Sequence, residues 1–378
     1  MTKRVVISGY YGFGNTGDEA VLAGILTAFQ QLAIDAEVTV LSANPQYTLS
    51  QHRGVKSINR YHIINLMRAI RRCDLLISGG GSLLQDATSV RSLRYYLFVL
   101  RLARLFGRKS MIYAQGVGPL LRESSKRAVA KELNAVSAIT VRDEDSKFLL
   151  ESIGVSVPVR VVADPSFLVP PDLEAADELL AKHGLTGKEF IAVSVRPWDG
   201  HSRWLTEVRQ GLRRAAEEIG TQLVAIPMQE SEDLELCSDL DADVVMREIP
   251  GVRAVKGVIA RSSLVIGMRL HSLIFAASEG VPFIPIVYDP KVSSFAAMAL
   301  PKACMEHGGR ELCFVGGDVA SLTAQKLAEA VIFVWNRRAE LANELLAKTP
   351  SLRELALEPG KMVATELMEL CVEERRRS

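Results

Sequence analysis

Residues 3–20 read KRVVISGYYGFGNTGDEA, an apolar run that leads through a glycine-rich turn into a polar, helix-compatible stretch. The run from Arg4 to Ser8 predicts a buried strand, and the stretch from Asp18 to Leu32 predicts the helix that follows it. A strand, a glycine-rich turn and a helix form the opening unit of a parallel α/β sheet. We therefore expect the rest of the chain to repeat this pattern.

The same alternation continues along the chain in two series. The first series predicts further strands at residues 38–42, 75–78, 110–114, 138–141 and 159–163. The stretch LVPPD at residues 168–172 then interrupts the pattern, because proline continues neither a helix nor a central strand. The second series predicts strands at residues 190–195, 222–227, 264–267 and 283–287, and the chain from about residue 321 onward predicts helices.

These two series predict an α/β protein with two Rossmann-like lobes, whose mostly parallel sheets face a cleft, and a helical C-terminus. We place the N-terminal lobe at residues 1–170, the C-terminal lobe at residues 171–350 and a helical extension at residues 351–378. A length of 378 residues agrees with this division, since one hydrophobic core rarely serves so long a chain.

Charge and cysteine content argue against several functions. Lys plus Arg total 45 and Asp plus Glu total 44, so no overall field would attract nucleic acid or a charged membrane. The five cysteines show no C-x-x-C spacing, which predicts reduced core residues and no zinc or dithiol site. A strand begins at Lys3 without a signal-peptide-like apolar stretch, which predicts a cytoplasmic protein.

The loop after the first predicted strand carries candidate binding residues. Its segment from Gly12 to Gly17 fits G-x-G-x-x-G, the pattern of a dinucleotide site. The second strand, however, ends in Ser42-Ala43-Asn44 and lacks the acidic residue that would hold a ribose. Asn15 and Asp18 instead suit a site that orients hydroxyl groups. Alternatively the loop is a tight turn, with Asp18 and Glu19 stabilising the helix N-terminus.

Two further loops of the first lobe are rich in glycine. Residues 78–86 read SGGGSLLQD and residues 115–119 read QGVGP. Because glycine lets a backbone and a ligand approach closely, we expect Gly80, Gly81 and Gln115 to contact an oxygen-rich ligand. Taken alone, each loop is also compatible with a permissive turn.

Cations follow the predicted strands of the second lobe. Arg196, Arg269, His271 and Lys291 each come after such a strand, and the carboxyl ends of parallel strands share one edge. Arg269 and His271 also stand at a helix N-terminus, whose unpaired N–H groups favour anions. The set predicts a site for a small anion that carries carboxylate and phosphate. Each cation alone is equally compatible with an ion pair or a solvated loop.

Three single residues have competing interpretations. Arg142 ends a first-lobe strand and either pairs with Asp143 or Asp145 or faces the cleft. Asp164 precedes a proline and is predicted to be a turn residue. His271 is either a catalytic histidine or a hydrogen-bonded residue of a helix's first turn, and its place two residues after Arg269 favours catalysis.

Five segments in order resemble the polysaccharide pyruvyl transferase family: GFGNTGDEA (12–20), SGGGSLLQD (78–86), QGVGP (115–119), ADP (163–165) and RLH (269–271). The likeness spans roughly residues 4–300 and is nearest to the members that anchor bacterial cell-surface proteins. It implies a GT-B-like fold, phosphoenolpyruvate as co-substrate without a further cofactor, and a lipid-linked amino-sugar disaccharide as acceptor. The implied product is a cyclic pyruvate ketal.

The resemblance also implies roles for individual residues. Arg269, Leu270 and His271 match the family's donor-site motif, and Lys291 and Arg142 match its basic positions. The cationic edge adds Arg196 to the donor-binding set.

The glycine-rich loops of the first lobe would hold the acceptor through Gly12, Asn15, Gly80, Gly81 and Gln115. Forming a ketal from an enol phosphate requires a general acid and a base. His271 is the candidate acid, and Asp18 and Asp86 are the candidates for accepting a hydroxyl proton.

Two other functions stay open on the sequence: a GT-B glycosyltransferase with a nucleotide-sugar donor, and a non-catalytic two-lobed sugar-binding protein. No metal-ligand cluster stands out. The arginine-rich tail at residues 373–378 either touches acidic lipid head groups peripherally or is a solvated tail. We expect no nucleic-acid partner, and a homo-oligomer remains open.

Overall fold

The computed structural model describes residues 2–198, 203–300 and 319–377, and the chain divides into two compact units. The first lobe comprises Met1–Val169 together with Arg353–Ser378, and the second lobe comprises Pro170–Leu352. The division falls inside the proline-containing stretch that interrupts the strand pattern. The C-terminal segment, expected to be a separate extension, belongs to the first lobe.

The first lobe contains a sheet of eight strands. They are β1 (Lys3–Tyr11), β2 (Ala36–Ser42), β3 (Lys56–Asn59), β4 (Leu75–Ser78), β5 (Gly81–Leu84), β6 (Lys109–Val117), β7 (Ala138–Val141) and β8 (Val159–Val161). All pairings are parallel, in the order β3-β2-β1-β4-β6-β7-β8, and β5 pairs with β6. All six predicted strands are present. β3 and β5 were missed, and β5 lies within the segment predicted to be a glycine-rich loop.

The helices of the first lobe connect these strands. They are α1 (Thr16–Gln31), α2 (Pro45–Gln51), α3 (Ile63–Arg72), α4 (Val90–Leu105), α5 (Glu123–Leu133) and α6 (Glu144–Ser152), followed by a short 3-10 helix (Pro165–Leu168). Strands β4 and β7 are buried along their whole length, because helices cover both faces of a parallel sheet. This burial explains why their sequences are continuous apolar runs.

The second lobe contains five parallel strands. They are β9 (Phe190–Ser194), β10 (Gln222–Ala225), β11 (Val244–Val245), β12 (Leu264–Gly267) and β13 (Phe283–Pro285), in the order β11-β10-β9-β12-β13. Its helices are α7 (Leu173–Lys182), α8 (Arg203–Ile219), α9 (Glu230–Asp239), α10 (Val252–Arg261), α11 (Leu270–Ser278), α12 (Pro290–Ala299), α13 (Ala324–Asn336) and α14 (Arg338–Arg377). The four predicted strands are present. The predicted helical C-terminus is also confirmed, and α14 continues into the segment that belongs to the first lobe.

The structure also bears on the predictions for the cysteines, for the C-terminal tail and for membrane-spanning helices. Cys73 and Cys237 are buried free thiols, whereas Cys304 and Cys313 lie outside the described residues, as do the side chains of the tail at 373–378. Burial raises the pKa of Cys73 and of Cys237 to about 12, so neither thiol is reactive near neutral pH. Within the described ranges, the helices are too short or too polar to cross a bilayer.

Candidate functional site

The loop after β1 is held by the side chains of its own helix. Asn15 is the N-cap of α1, and its Oδ1 accepts hydrogen bonds from the N–H groups of Gly17 (2.9 Å) and Asp18 (3.2 Å). Glu19 is buried, and its Oε1 accepts a bond from the N–H of Gly12 at 2.8 Å while its Oε2 lies 3.0 Å from Nε2 of His52. The His52 contact was not predicted, because it depends on the position of α2.

These bonds test the interpretation of the G-x-G-x-x-G segment as a dinucleotide site. A pyrophosphate would need free backbone N–H groups in this loop. The N–H groups of Gly12, Gly17 and Asp18 already donate to Glu19 and Asn15. The geometry therefore argues against a dinucleotide site, and it gives the Asn15 oxygen, predicted to bind acceptor, a capping role.

The three glycines after β4 are needed for close packing. A Cβ at Gly79 would lie 2.2 Å from the Tyr11 hydroxyl, and one at Gly80 would lie 2.7 Å from Cγ1 of Val21. A Cβ at Gly81, whose φ is +92°, would lie 2.7 Å from Oδ1 of Asp18. Gly80 and Gly81 thus bring the β4 loop against α1, and Asp18 lies in contact with that loop.

Gln115 supports the same loop from β6. Its side chain is fully buried and donates from Nε2 to the Ser78 hydroxyl at 2.7 Å and to the carbonyl of Gly79 at 2.8 Å. These bonds tie the ends of β4 and β6 together. The structure therefore gives Gln115, predicted to bind acceptor, a positioning role beneath the loop.

Arg142 is buried at the end of β7 and is paired within the first lobe. Its Nη1 donates to Oδ2 of Asp164 at 3.2 Å, and its Nη2 donates to the Ser82 hydroxyl at 2.9 Å. Its Nε lies 4.0 Å from Oδ2 of Asp143, one of the two partners that the sequence suggested. Asp164 also caps the turn that follows it, through the N–H and hydroxyl of Ser166. Its turn role was expected, but its ion pair was not.

Asp86 is a poor candidate for a base. Its carboxylate accepts hydrogen bonds from the N–H groups of Leu121 (2.6 Å) and Arg122 (3.1 Å), just before α5 begins. Burial alone would raise the pKa of Asp86, but these bonds, the Ser125 hydroxyl and the Arg122 charge together hold it below its usual value. A carboxylate stabilised in this way accepts a proton weakly. Its position indicates that it fixes the loop between β6 and α5.

Arg60, which the sequence analysis missed, organises the aromatic side of the β1 loop. Its buried guanidinium lies 4.1 Å from the ring centroid of Tyr95 and 5.5 Å from that of Phe13. Its Nη1 donates to the carbonyl of Gly9 at 2.9 Å. Phe13 in turn stacks on Tyr10, with ring centroids 4.0 Å apart. Arg60 and Tyr95 are distant in the sequence from this loop, and only the tertiary structure brings them to it.

In the second lobe, Arg269 forms a buried ion pair at the end of β12. Its Nε lies 3.0 Å from Oδ2 of Asp233, and its Nη2 bonds to Oδ1 of Asp233 and to Oε2 of Glu232 (2.9 Å). Burial alone would lower the pKa of Arg269, but its bonds to Asp233 and Glu232 hold the pKa above its usual value. Asp233 is fully buried and also accepts from the N–H groups of Met228 and Gln229.

This pair changes the expected role of Arg269. Among the described residues, no hydrogen bond uses Nη1 of Arg269, so that edge of the guanidinium remains for a ligand. The sequence predicted a cation here but not its two acidic partners, which follow a different strand. Asp233 and Glu232 fix the orientation of the guanidinium.

His271 and Leu270 begin α11 directly after Arg269. Leu270 is buried and contributes to packing. His271 is half-buried in the first turn of the helix, and its ring centroid lies 6.4 Å from that of Phe275. The structure thus places His271 in the helix that follows β12, the strand that lies between β9 and β13, and those two strands precede Arg196 and Lys291 in the chain.

Arg196 and Lys291 meet at Tyr288, a residue to which the sequence analysis assigned no role. The Nη1 of Arg196 donates to the Tyr288 hydroxyl at 3.0 Å, and its guanidinium lies 5.0 Å from the ring centroid. The Nζ of Lys291 lies 5.6 Å from the same ring and 3.3 Å from Oδ2 of Asp289, which caps α12. All four side chains are half-buried, so the group forms a cationic surface around one aromatic ring.

A metal centre finds no support in the described ranges. Three or more His, Cys, Asp or Glu side chains do not come together there in an arrangement that would hold an ion. The charge at the second-lobe edge comes from Arg196, Arg269 and Lys291.

The fold defines a GT-B-type protein built from two Rossmann-like α/β lobes. S. aureus MnaA, in a co-structure with UDP, is similar over 94% of this chain and 94% of its own, with a TM-score of 0.64 and 13% identity. Anabaena Alr3699/HepE, in complex with UDP and glucose, is similar over 97% of this chain and 100% of its own, with a TM-score of 0.62 and 14% identity. At such low identity, the likeness concerns the fold alone.

The family is shown by sequence. The model of the polysaccharide pyruvyl transferase family matches residues 15–290, and the chain belongs to that family. Amylovoran biosynthesis protein AmsJ of Erwinia amylovora is 22% identical, over 76% of this chain and 84% of that protein. The family resemblance predicted from the motifs is confirmed, and so is the prediction of a polysaccharide pyruvyltransferase enzyme rather than a non-catalytic binding protein.

Asp233→Ala tests whether the second-lobe edge depends on its buried ion pair. The substitution leaves the Arg269 charge buried without its main partner, so we expect the free energy of unfolding to fall by about 3–5 kcal/mol in urea denaturation. The control is Asp177→Ala, which removes an equally bidentate partner from Arg261 (2.7 and 2.6 Å) on the surface. There we expect a loss of about 1 kcal/mol or less. Equal losses in the two variants would contradict the role given to Asp233.

Proposed function

We propose that this enzyme transfers the pyruvyl group of phosphoenolpyruvate to a sugar and releases phosphate. The acceptor that we propose is N-acetylmannosamine in a lipid-linked disaccharide, a precursor of a secondary cell-wall polymer that anchors S-layer proteins. The family match supports pyruvyl transfer. The motif likeness to the cell-surface-anchoring members is the basis for this acceptor. The reaction would take place in the cytoplasm, at the inner face of the membrane that carries such lipids.

The cationic edge of the second lobe carries the donor part of the proposal. Phosphoenolpyruvate carries a carboxylate and a phosphate group, both attached to the same carbon. Arg196 and Lys291 surround Tyr288, and Arg269 offers its Nη1 edge in an orientation fixed by Asp233. Guanidinium groups bind both anions with paired hydrogen bonds, and an ammonium adds a point charge. Because Asp233 sets the orientation of Arg269 before the ligand binds, that guanidinium would stabilise charge without reorganisation.

Arg142 is no longer part of this donor set. Its guanidinium lies in the first lobe and is engaged by Asp164 and Ser82. We propose that it holds the β4 and β7 loops in place. The acceptor would contact these loops through surface atoms around Asp18, with the Gly12, Gly80 and Gly81 backbones shaping the approach.

The chemistry needs one proton donor and one proton acceptor. A proton delivered to the methylene carbon of the enol turns it into a methyl group and leaves positive charge on the neighbouring carbon. A sugar hydroxyl forms a bond to that carbon, the carbon–oxygen bond to phosphate breaks, and a second hydroxyl closes the ketal ring. One hydroxyl proton restores the acid, and the other leaves with phosphate. We propose His271 as the acid and Asp18 as the acceptor of a hydroxyl proton.

The test of this function is incubation of the purified protein with phosphoenolpyruvate and a lipid-linked amino-sugar disaccharide. We expect the acceptor to gain the mass of one pyruvyl ketal, with phosphate released in equal amount. A nucleotide-sugar donor is the competing reading, since structures of similar fold contain UDP. Sugar transfer from UDP-sugars, without any reaction of phosphoenolpyruvate, would overturn the proposal.

His271→Ala tests the proton donor. We expect the variant to unfold like the wild type and to lose transfer by about 100-fold or more, because general acid catalysis is removed. His183→Ala, which changes an exposed histidine at the end of α7, is the control and should keep full turnover. Wild-type turnover in the His271 variant would end the assignment.

Asp18→Asn and Asp86→Asn separate a chemical role from a structural one. We expect Asp18→Asn to lower kcat by about 100-fold, because an amide cannot accept the hydroxyl proton. Asp86→Asn should instead lower stability by about 1–3 kcal/mol, because one carboxylate oxygen that accepts a backbone N–H becomes a donor. Calorimetry and kinetics on both variants check this. A kcat loss confined to the Asp86 variant would reverse the assignment.

A further inference from the structure

Helices α3 and α4 of the first lobe have an unusual charge composition. The sequences IINLMRAIRR and VRSLRYYLFVLRLARL contain three and four arginines, respectively, and neither contains Asp or Glu. In the whole chain, by contrast, 45 basic residues stand against 44 acidic ones. The two helices pack against each other, so their charge is concentrated on one side of the lobe.

The outward faces of these helices mix arginine with large apolar side chains. On α4 the exposed positions Arg91, Arg94, Phe98, Arg101 and Leu105 follow a spacing of three and four residues, which lines one face of a helix. Leu105 is 64% exposed and Phe98 is 38% exposed. Phe98 and Leu105 are therefore exposed to solvent, whereas the opposite face of α4 packs into the core.

Helix α3 has the same arrangement. Leu66 and Ile70 are buried and anchor the helix to the lobe. Ile63, Ile64 and Met67 point outward and are 47%, 60% and 41% exposed. Exposure of several large apolar side chains side by side marks an interaction surface.

The arginines of this surface are available for an external anion. Arg68, Arg71 and Arg72 form no salt bridge with another described residue. Two other basic residues of the first lobe are paired instead: Arg104 with Glu132 at 3.1 Å and Lys109 with Glu366 at 2.9 Å. The unpaired charges therefore coincide with the exposed apolar side chains of α3.

A basic hollow lies beside the end of α3. It has a volume of about 760 Å³ and includes six cations in its lining, Lys3, Arg4, Arg68, Arg71, Arg72 and Arg108. Asp74 is its one acidic lining residue, and the Asp74 carboxylate accepts a hydrogen bond from the backbone N–H of Arg4 at 2.7 Å. The hollow is large enough for a phosphate-bearing head group, and Ile64 and Met67 form part of its wall.

We propose that the outward faces of α3 and α4, which we call the α3–α4 surface, bind an anionic phospholipid bilayer. The arginines would contact lipid phosphates, and Ile63, Ile64, Met67 and Leu105 would enter the boundary between head groups and acyl chains. Charge complementarity selects this occupant, because basic and aliphatic side chains alternate on one face without acidic residues. Nucleic acid would satisfy the arginines but would leave the aliphatic side chains in water. This binding is independent of the proposed pyruvyl transfer.

Vesicle co-sedimentation tests the α3–α4 surface. The full chain is incubated with vesicles of phosphatidylcholine alone or of phosphatidylcholine mixed with anionic phosphatidylglycerol. We expect sedimentation with the anionic vesicles alone, weakened but not abolished by raising the salt, since the apolar contacts are not screened. Binding to neither vesicle, or equal binding to both, would overturn the proposal.

Two pairs of substitutions separate the contributions. Arg68→Glu with Arg71→Glu should lower vesicle partitioning by about tenfold or more, because each basic residue near the surface contributes about fivefold. Ile64→Ser with Met67→Ser should lower it at high salt as well as at low salt. The matched control is Arg209→Glu with Arg214→Glu, which makes the same change in net charge on exposed positions of α8 and should leave partitioning unchanged.

Further measurements distinguish loss of the α3–α4 surface from misfolding, from an effect of net charge and from binding of another partner. Circular dichroism and thermal unfolding confirm that the variants fold, and transfer to a water-soluble acceptor should remain at the wild-type rate. If the α8 variant loses binding equally, net charge and not the α3–α4 surface is responsible. If the wild type binds an oligonucleotide more tightly than vesicles, or if the Ile64 and Met67 changes convert a dimer into a monomer in gel filtration, the surface serves a different partner.

Discussion

Within each lobe, buried carboxylates that accept hydrogen bonds from backbone N–H groups fix the loops at the carboxyl edge of the sheet. Parallel strands deliver their connecting loops to one edge, and buried backbone groups in such loops need hydrogen-bond partners. Glu19 accepts the N–H of Gly12, Asp86 accepts those of Leu121 and Arg122, and Asp233 accepts those of Met228 and Gln229. Each carboxylate lies in the segment that follows a different strand, β1, β5 or β10. The loops that form the candidate site owe their conformations to these bonds.

Buried carboxylates in both lobes also hold arginines, and this decides which cations are available for chemistry. Asp164 engages Arg142 and Asp233 engages Arg269, both within the interior of their lobes. A guanidinium held in this way keeps a fixed orientation, so it can stabilise developing charge without having to reorganise. Arg196 and Lys291, in contrast, stay half-buried around Tyr288. The second lobe thus has both fixed and accessible positive charge at the carboxyl edge of its sheet. In the first lobe, the half-buried Asp18 lies against the loop after β4.

Overall charge and local charge lead to different conclusions about partners. A near-neutral chain predicts no attraction to a charged surface, yet helices α3 and α4 carry only positive charge. The compensating acidic residues lie elsewhere, and some of them, such as Glu132, neutralise arginines at the border of this face. An enzyme whose acceptor is proposed to be lipid-linked would benefit from a docking surface that works without a membrane-spanning helix.

The sequence by itself determined the two α/β lobes, most of the strands and the family, because apolar periodicity and short glycine-containing motifs are local properties of the chain. It also located Arg196, Arg269, His271 and Lys291 at strand ends. Only the tertiary structure showed that Asn15 caps α1, that Gln115 lies beneath a loop, and that Arg269 is bound by Asp233, 36 residues away. Strand order decides which loop tips become neighbours, and that order depends on packing across the whole sheet. A side chain's type is therefore readable from the sequence, whereas its partner, and with it the choice between support and chemistry, is set by the fold.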